Sequence, residues 1–187
     1  MSHRIVVLGG GTMGAGIAYV FALKGFGVDV VDPSESGRDA CLRIVKHVAA
    51  RAVERGGMDA GESLMVTERV NVQKNLSSLQ AEPVLLIEAV PEDFALKSNV
   101  LNQAQGLHPK VLATNTSSIS ITSLAQNLDH PESFIGMHFF NPVWSSPLVE
   151  IVVGAETATA TVDATKELVD IIEKGSITVG DNNGFAS

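Results

Sequence analysis

A glycine-rich turn near the beginning of the chain restricts the fold more than any other feature. The pattern G-x-G-x-x-G directly follows the apolar residues 5–8 and precedes a stretch with helical spacing. In such a unit the first glycine permits a tight turn, the second lets a pyrophosphate approach the backbone, and the third allows the helix to pack closely on the strand. The helix N-terminus then offers N–H groups to the phosphates. The cofactor-binding residues predicted in this turn are Gly9, Gly11, Thr12, Met13 and Gly14.

By itself this pattern is also compatible with an ordinary glycine-rich turn. Asp32 adds context, because it ends the second apolar run, 18 residues after Gly14. A carboxylate near this spacing accepts hydrogen bonds from the adenosine ribose and would repel the 2′-phosphate of NADP. The next residues, Pro33 and Ser34, provide no arginine for such a phosphate. Asp32 could instead cap the following helix, a role that Ser34 could fill equally well. The turn and the carboxylate together predict NAD as the cofactor.

Short β-branched runs alternate with helical stretches along the chain, which is typical of a parallel sheet covered on both faces. We therefore predict an α/β fold of the Rossmann type, with a doubly wound and mainly parallel sheet, as one domain over residues 1–187. Helices are expected before Gly25 and Gly56, over about residues 93–105, and around residues 162–172. The predicted strands are residues 5–8, 28–31, 70–72, 84–87, 111–113, 134–138, 148–153 and 177–179.

Charge and composition limit the classes of function. The chain has 13 Lys and Arg residues against 21 Asp and Glu residues, a formal charge of −8, which makes it a poor candidate for a general nucleic-acid binder. We find no run of the roughly 18 apolar residues that a membrane span requires. Cys41 is the one cysteine, and the first strand begins too early for a signal peptide to precede it. We expect a cytoplasmic protein, and the histidine spacing predicts no metal site.

Polar motifs accompany the strands of the second half, at the ends where open α/β sheets bind their ligands. EAVPED at residues 88–93 follows the fourth strand, NTSS at residues 115–118 follows the fifth, and GMHFFNP occupies residues 136–142. Glu150 comes 12 residues after His138. Taken together, these segments closely resemble the L-3-hydroxyacyl-CoA dehydrogenase family. The resemblance covers essentially the whole chain, as the N-terminal NAD-binding domain of that family.

The resemblance implies three catalytic residues. His138 corresponds to the catalytic base, Glu150 to the carboxylate that orients it, and Ser117 to the residue that bonds the substrate oxygen beside the nicotinamide. The residue types suit the chemistry, because oxidation of an alcohol needs a base for the hydroxyl proton and histidine titrates close to neutral pH. A carboxylate on the other ring nitrogen fixes the tautomer and stabilises the imidazolium. The alternatives are a structural histidine and an exposed glutamate on an edge strand.

The resemblance also implies further ligand contacts. Glu92, Lys97, Ser117 and Asn141 match positions that contact NAD in the family. Arg55 loosely matches a position at which the family keeps a cation for the nucleotide of coenzyme A, so it is assigned to substrate binding. Alternatively, residues 115–118 cap a helix that starts near residue 120, and Lys97 and Arg55 are ordinary solvated helix charges.

The resemblance finally implies an acyl-CoA substrate, with (S)-3-hydroxyacyl-CoA oxidised by NAD, as in fatty acid β-oxidation or butanoate metabolism. Two segments depart from the family: Asn183 stands where Asp-x-Pro-Gly-Phe has its proline, and Trp-Ser-Ser at residues 144–146 replaces a more apolar stretch. The helical C-terminal domain, which closes the cleft and forms the homodimer interface in the family, is absent. We therefore expect this chain to bind NAD and to turn over acyl-CoA poorly. The alternatives are a related NAD-dependent dehydrogenase of hydroxy acids or sugar acids, and a non-catalytic NAD-binding protein.

Overall fold

The structure is a computed structural model that describes residues 4–79 and 82–181. Its strands are β1 (Arg4–Leu8), β2 (Gly27–Val31), β3 (Val70–Gln73), β4 (Leu85–Glu88), β5 (Val111–Thr114), β6 (Phe134–Phe139), β7 (Leu148–Val153) and β8 (Gly175–Gly180). Its helices are α1 (Thr12–Leu23), α2 (Glu35–Glu54), α3 (Ala60–Glu68), α4 (Phe94–Ala104), α5 (Ile121–Ala125) and α6 (Thr159–Ile171). Short 3₁₀ turns lie at Leu76–Ser78, Gln105–Leu107 and Pro131–Ser133. Within the described ranges, no helix combines the length and the apolar character needed to cross a bilayer.

The eight strands form one sheet in the order β3-β2-β1-β4-β5-β6-β7-β8. Strand β1 pairs in parallel with both β2 and β4, and the antiparallel pairing of the sheet is that of β6 with β7. The chain first moves outward from β1 to β3 and then crosses back to β4, so the winding direction reverses between β1 and β4. Doubly wound sheets bind their ligands at the carboxyl ends of the strands beside such a reversal. The predicted Rossmann-type, mainly parallel sheet is confirmed.

The central strands are apolar on both faces because helices cover both sides of the sheet. Val7 of β1 packs in one cluster with Phe21 of α1, while its neighbour Val6 packs in the opposite cluster with Leu101 of α4. All four of these strand and helix side chains are buried, as is typical of parallel sheets covered on both faces. Each such side chain contributes about 1.5–3 kcal/mol through its burial. This packing fixes the strand ends on which the site is built.

Helix N-termini account for two differences between the structure and the predictions. Helix α3 was not predicted, because Val66 is its one buried residue and no apolar stripe marks it. A capping box starts it instead: Asp59 accepts from the N–H of Glu62 at 2.8 Å, and the Glu62 carboxylate accepts from the N–H of Asp59 at 2.9 Å. At α5 the capping residue is Ser120. The alternative that residues 115–118 serve only as this cap is therefore wrong.

Asp181 ties the end of β8 to the start of α5. Its carboxylate accepts hydrogen bonds from Ser120 Oγ at 2.8 Å, from the N–H of Ile121 at 2.9 Å and from the N–H of Thr122 at 2.8 Å. Burial alone would raise the pKa of Asp181, but hydrogen bonds from these three residues lower it below its usual value. The predicted departure at Asn183 lies outside the described residues.

Asp181→Asn is expected to lower the free energy of unfolding by about 1 kcal/mol near pH 7, a typical cost of losing a helix cap. Because the folded pKa is depressed, this stabilisation is present above the unfolded pKa of about 3.9 and is lost as the pH falls through the folded value. Urea unfolding at pH 7 and pH 3 measures the difference. The matched control is Asp163→Asn, an exposed position on α6. Equal stability of parent and Asp181 variant at pH 7 would contradict the role of Asp181 as an acceptor for the first N–H groups of α5.

Candidate active site

The glycine turn has the geometry that each of its three glycines was predicted to provide. Gly9 adopts a φ of +104°, and a Cβ atom there would lie 2.7 Å from the carbonyl oxygen of Ala89 at the end of β4. A Cβ atom at Gly14 would overlap the carbonyl oxygen of Gly9, so the third glycine brings α1 close to the turn. At Gly11 an added Cβ would have no other atom within 4 Å. The backbone at the start of α1 is thus open to a ligand.

Asp32 is bound to the glycine turn rather than to the helix that follows it. Its Oδ2 accepts from the N–H of Gly10 at 2.8 Å, and its Oδ1 accepts from the N–H of Ser34 at 2.9 Å. Ser34 itself caps α2, with its Oγ accepting from the N–H of Gly37 at 3.0 Å. The alternative that Asp32 is the N-cap is therefore wrong. Its carboxylate stands at the carboxyl end of β2, on the ligand side of the sheet.

Arg38 is a cation near Asp32 that the sequence interpretation overlooked. Its guanidinium donates to the backbone carbonyl oxygens of Asp32 at 2.8 Å and of Pro33 at 3.1 Å. Burial alone would raise the pKa of Asp32, but the hydrogen bonds from Gly10 and Ser34, together with the charge of Arg38, lower it. The carboxylate is therefore ionised at neutral pH, in the form that accepts hydrogen bonds from ribose hydroxyls.

A cleft of about 1070 Å³ runs along the carboxyl ends of β1, β2 and β4. Gly14 does not line it but lies behind the turn, where it packs against the backbone of Gly9. The other predicted residues of the turn and of β2 all line the cleft, namely Gly9, Gly11, Thr12, Met13 and Asp32. A cleft of this size at the switch point of the sheet fits an extended dinucleotide.

His138 and Glu150 form a buried pair across the antiparallel strands. They are direct partners in the register of β6 and β7, so their side chains leave the sheet on the same face. His138 Nδ1 lies 2.7 Å from Glu150 Oε2, and the two side chains are 12% and 3% exposed. Because β8 covers the outer edge of β7, Glu150 is not an exposed residue of an edge strand, and that alternative is wrong. With Glu150 ionised, Nδ1 is the donor and the tautomer is fixed.

Glu92 organises the loop that carries Ser117. Its Oε1 accepts from the N–H groups of Ser117 at 2.9 Å and Ser118 at 3.2 Å, and also from Thr116 Oγ1. Its Oε2 lies 3.2 Å from Lys97 Nζ. Burial alone would raise the pKa of Glu92, but the hydrogen bond from Thr116, the charge of Lys97 and the N–H of Ser117 lower it to about 2. Glu92 thus carries a permanent negative charge at neutral pH.

Lys97 and Glu88 form an ion pair inside the protein. Their side chains are 1% and 0% exposed, and Lys97 Nζ lies 2.7 Å from Glu88 Oε1. Glu88 also accepts from the N–H of Val90 at 2.6 Å and, through Oε2, from Thr114 Oγ1 at 2.6 Å. The alternative that Lys97 is a solvated helix charge is therefore wrong. The sequence interpretation included Glu88 in the EAVPED motif but assigned it no role, although a carboxylate directly after the apolar residues 85–87 was a visible signal.

A second cavity of about 320 Å³ brings the predicted catalytic and cofactor residues together. Asn115 also lines it, and its Oδ1 accepts from the N–H of Phe139 at 2.8 Å, which joins the loop after β5 to the end of β6. Met13, Ala89 and Val90 line both this cavity and the large cleft, so the two are contiguous. The predicted site residues that line the small cavity are Met13, Glu92, Lys97, Ser117, His138 and Asn141.

Arg55 lies elsewhere, at the C-terminal end of α2. It lines a third cavity of about 720 Å³ together with Lys24, Arg51 and Trp144, and this cavity shares no lining residue with the other two. The structure therefore does not bring Arg55 to His138. Its surroundings carry several cations, which suits a phosphorylated ligand.

The model of the family described as 3-hydroxyacyl-CoA dehydrogenase, NAD binding domain, matches residues 4–182. The chain belongs to this family. A curated relative, the fatty acid oxidation complex subunit alpha of Idiomarina loihiensis, is 38% identical over 181 residues, which cover 96% of this chain and 25% of that protein. The chain thus spans about a quarter of the length of the curated relatives it matches.

Solved structures of 3-hydroxyacyl-CoA dehydrogenases share the fold. The (S)-3-hydroxybutyryl-CoA dehydrogenase PaaH1 of Ralstonia eutropha has a TM-score of 0.94 and 33% identity, and the match covers 100% of this chain and 66% of that one. The 3-hydroxybutyryl-CoA dehydrogenase of Escherichia coli K12 has a TM-score of 0.92 and 33% identity, with 97% and 39% covered. Family membership confirms both the predicted resemblance and NAD as the cofactor.

Two alanine substitutions are expected to separate packing from cofactor binding. Gly14→Ala should lower the free energy of unfolding by about 1–3 kcal/mol, because the methyl group overlaps the Gly9 carbonyl. Gly11→Ala places the same methyl group in open space and should cost less than about 1 kcal/mol. The added methyl group, however, occupies the space through which the pyrophosphate approaches the backbone, so NAD affinity should fall at least roughly tenfold. Urea unfolding and titration with NADH measure both effects; an unchanged affinity of the Gly11 variant would contradict the assignment of the turn.

Proposed function

We propose that this chain is the cofactor-binding part of an NAD-dependent dehydrogenase that oxidises (S)-3-hydroxyacyl-CoA to 3-oxoacyl-CoA, in fatty acid β-oxidation or butanoate metabolism. One observation carries the proposal: His138, which is held by the buried Glu150, lines a small cavity that is contiguous with the cleft of the glycine turn. A nucleotide-binding cleft alone would need no oriented base. The names of the curated relative and of both solved structures support the same reaction class.

In the proposed reaction, bound NAD supplies the acceptor for the hydride that leaves C3 of the substrate. His138 takes the proton of the 3-hydroxyl group through Nε2, since its Nδ1 is directed to Glu150. The Glu150 carboxylate, 2.7 Å from Nδ1, stabilises the imidazolium that forms. Ser117 Oγ donates to the substrate oxygen, which stabilises the negative charge that this oxygen carries when the ketone is reduced in the reverse direction.

The residues around both cavities fit NAD. The N–H groups at the start of α1 are open to the pyrophosphate, and ionised Asp32 accepts from the ribose hydroxyls. In the small cavity, Asn141 and Ser117 provide hydrogen-bonding groups for the nicotinamide end. Glu92 and Lys97 lie in the same wall and belong to the proposed cofactor site.

Arg55 is proposed to bind the nucleotide of coenzyme A. The support is the third cavity, where Arg51, Lys24 and His47 add further basic groups.

A cytoplasmic location is also part of the proposal, since Cys41 is a buried free thiol, as is usual in reducing compartments. A homodimer formed through a helical C-terminal domain is proposed for a longer form of the protein, from the family resemblance alone.

Two substrates and one substitution test the function in a longer form of the protein that carries the helical C-terminal domain, because this chain by itself is expected to turn over acyl-CoA poorly. NADH formation from (S)-3-hydroxybutyryl-CoA is expected to exceed that from free 3-hydroxybutyrate by at least about a hundredfold in kcat/KM, because the binding energy of the nucleotide is lost with the free acid. His138→Gln should reduce kcat by roughly 10²- to 10⁴-fold and leave NAD affinity nearly intact. The matched control is His130→Gln, an exposed histidine that also pairs with a glutamate, Glu132, at 3.3 Å.

The outcomes separate the alternatives. Equal kcat/KM for the ester and the free acid would favour a hydroxy-acid or sugar-acid dehydrogenase. NAD binding by that longer form without turnover of either substrate would favour a non-catalytic NAD-binding protein. An unchanged kcat in the His138 variant would remove this residue from the mechanism.

A further inference from the structure

Glu88, Lys97 and Glu92 form a cluster of three charges, here called the carboxylate–lysine cluster. Lys97 Nζ lies between the two carboxylates, 2.7 Å from Glu88 Oε1 and 3.2 Å from Glu92 Oε2. It also donates to the carbonyl oxygen of Val90 at 3.1 Å. An ammonium group has three N–H donors, and these three protein acceptors match them in number. The geometry is therefore that of a charge held in place rather than of a donor extended toward a ligand.

The cluster has an odd number of charges. As the two ion-pair contacts join them, two carboxylates and one ammonium give a net charge of −1. Glu88 and Lys97 are buried, so water screens this charge much less than it would screen a surface pair. Glu92 is 38% exposed and faces the small cavity, which places the unbalanced charge on the side of the site. The other titratable side chain in the cavity wall is His138, which is paired with Glu150.

This charge acts on a ligand whose own charge changes during the reaction. The proposed function, on which this step rests, places the nicotinamide in the small cavity beside His138, because the hydride donor and the base must meet there. The nicotinamide ring is cationic in NAD⁺ and neutral in NADH. We propose that the carboxylate–lysine cluster makes the site favour NAD⁺ over NADH, and that Glu88 is a positioning residue that acts through Lys97 to keep the net charge at −1.

Glu88→Gln is the central test. The variant keeps a side chain of the same size, but Lys97 then balances Glu92 and the net charge of the cluster becomes zero. At an effective dielectric constant near 20, a unit charge roughly 12 Å from the ring changes relative affinity by about tenfold. The ratio Kd(NAD⁺)/Kd(NADH) should therefore rise by about tenfold. For a two-electron couple this corresponds to an increase of about 30 mV in the potential of the bound cofactor.

Two control variants distinguish an effect of the cluster's net charge from an effect of disturbed local structure. Thr114→Val removes the hydroxyl group that donates to Glu88 Oε2 at 2.6 Å but changes no charge. It should weaken the binding of NAD⁺ and of NADH by the same factor and leave the ratio Kd(NAD⁺)/Kd(NADH) unchanged. The double variant Glu88→Gln with Lys97→Gln removes both members of the buried ion pair and restores the net charge of −1. Its ratio should return to within about twofold of the parent value.

Titrations of the 187-residue chain with NAD⁺ and with NADH measure the ratio of the two Kd values. Thermal unfolding shows whether each variant is folded. If Glu88→Gln does not fold, Glu92→Gln removes the same charge from a half-exposed position and must raise the ratio in the same direction. A parallel loss of affinity for both cofactors, with an unchanged ratio in the folded variant, would overturn the inference. If the parent chain binds neither cofactor, the proposed function itself fails, which is a different result from an unchanged ratio.

Discussion

The pairing of β6 with β7 determines the chemistry that this fold supports. In a sheet that is otherwise parallel, this one antiparallel pair places His138 directly opposite Glu150. Strand β8 pairs with the outer edge of β7, and the Glu150 side chain is 3% exposed, so its hydrogen bond with His138 is shielded from water. A buried carboxylate without such a partner would be costly, and it would not hold an imidazole in one orientation. The base is therefore oriented by backbone hydrogen bonding in the sheet before any ligand binds.

The rest of the site is connected to this pair through the loops at the carboxyl ends of the strands. Asn115 joins the loop after β5 to the N–H of Phe139, next to His138. Glu92 holds the same loop from the other side, through the N–H groups of Ser117 and Ser118. Met13 completes the connection, because it lines both the small cavity and the cleft of the glycine turn. A cofactor bound along the glycine turn would therefore extend into the small cavity that His138 lines.

The fold and the geometry of the glycine turn could be predicted from the sequence because they depend on local patterns: apolar runs for strands, and glycine and aspartate at fixed spacing for the turn. It could not predict contacts that join distant elements. Glu88 meets Lys97 and Thr114 from two other elements, and only the folded sheet brings them together. Arg38 lies six residues after Asp32 in the sequence, and only the first turn of α2 brings its guanidinium back to the Asp32 carbonyl oxygen. The pairing of His138 with Glu150 was inferred from resemblance, since strand register depends on the turn that joins the strands.

The most direct test is a crystal structure of this chain with NAD⁺. We expect the pyrophosphate at the N–H groups at the start of α1 and the nicotinamide ring in the small cavity. Its C4 atom should lie within roughly 6 Å of His138 Nε2, a distance that leaves room for an alcohol between ring and base. A nicotinamide ring that lies outside this cavity, with His138 still bound to Glu150, would contradict the assignment of the pair as an oriented catalytic base.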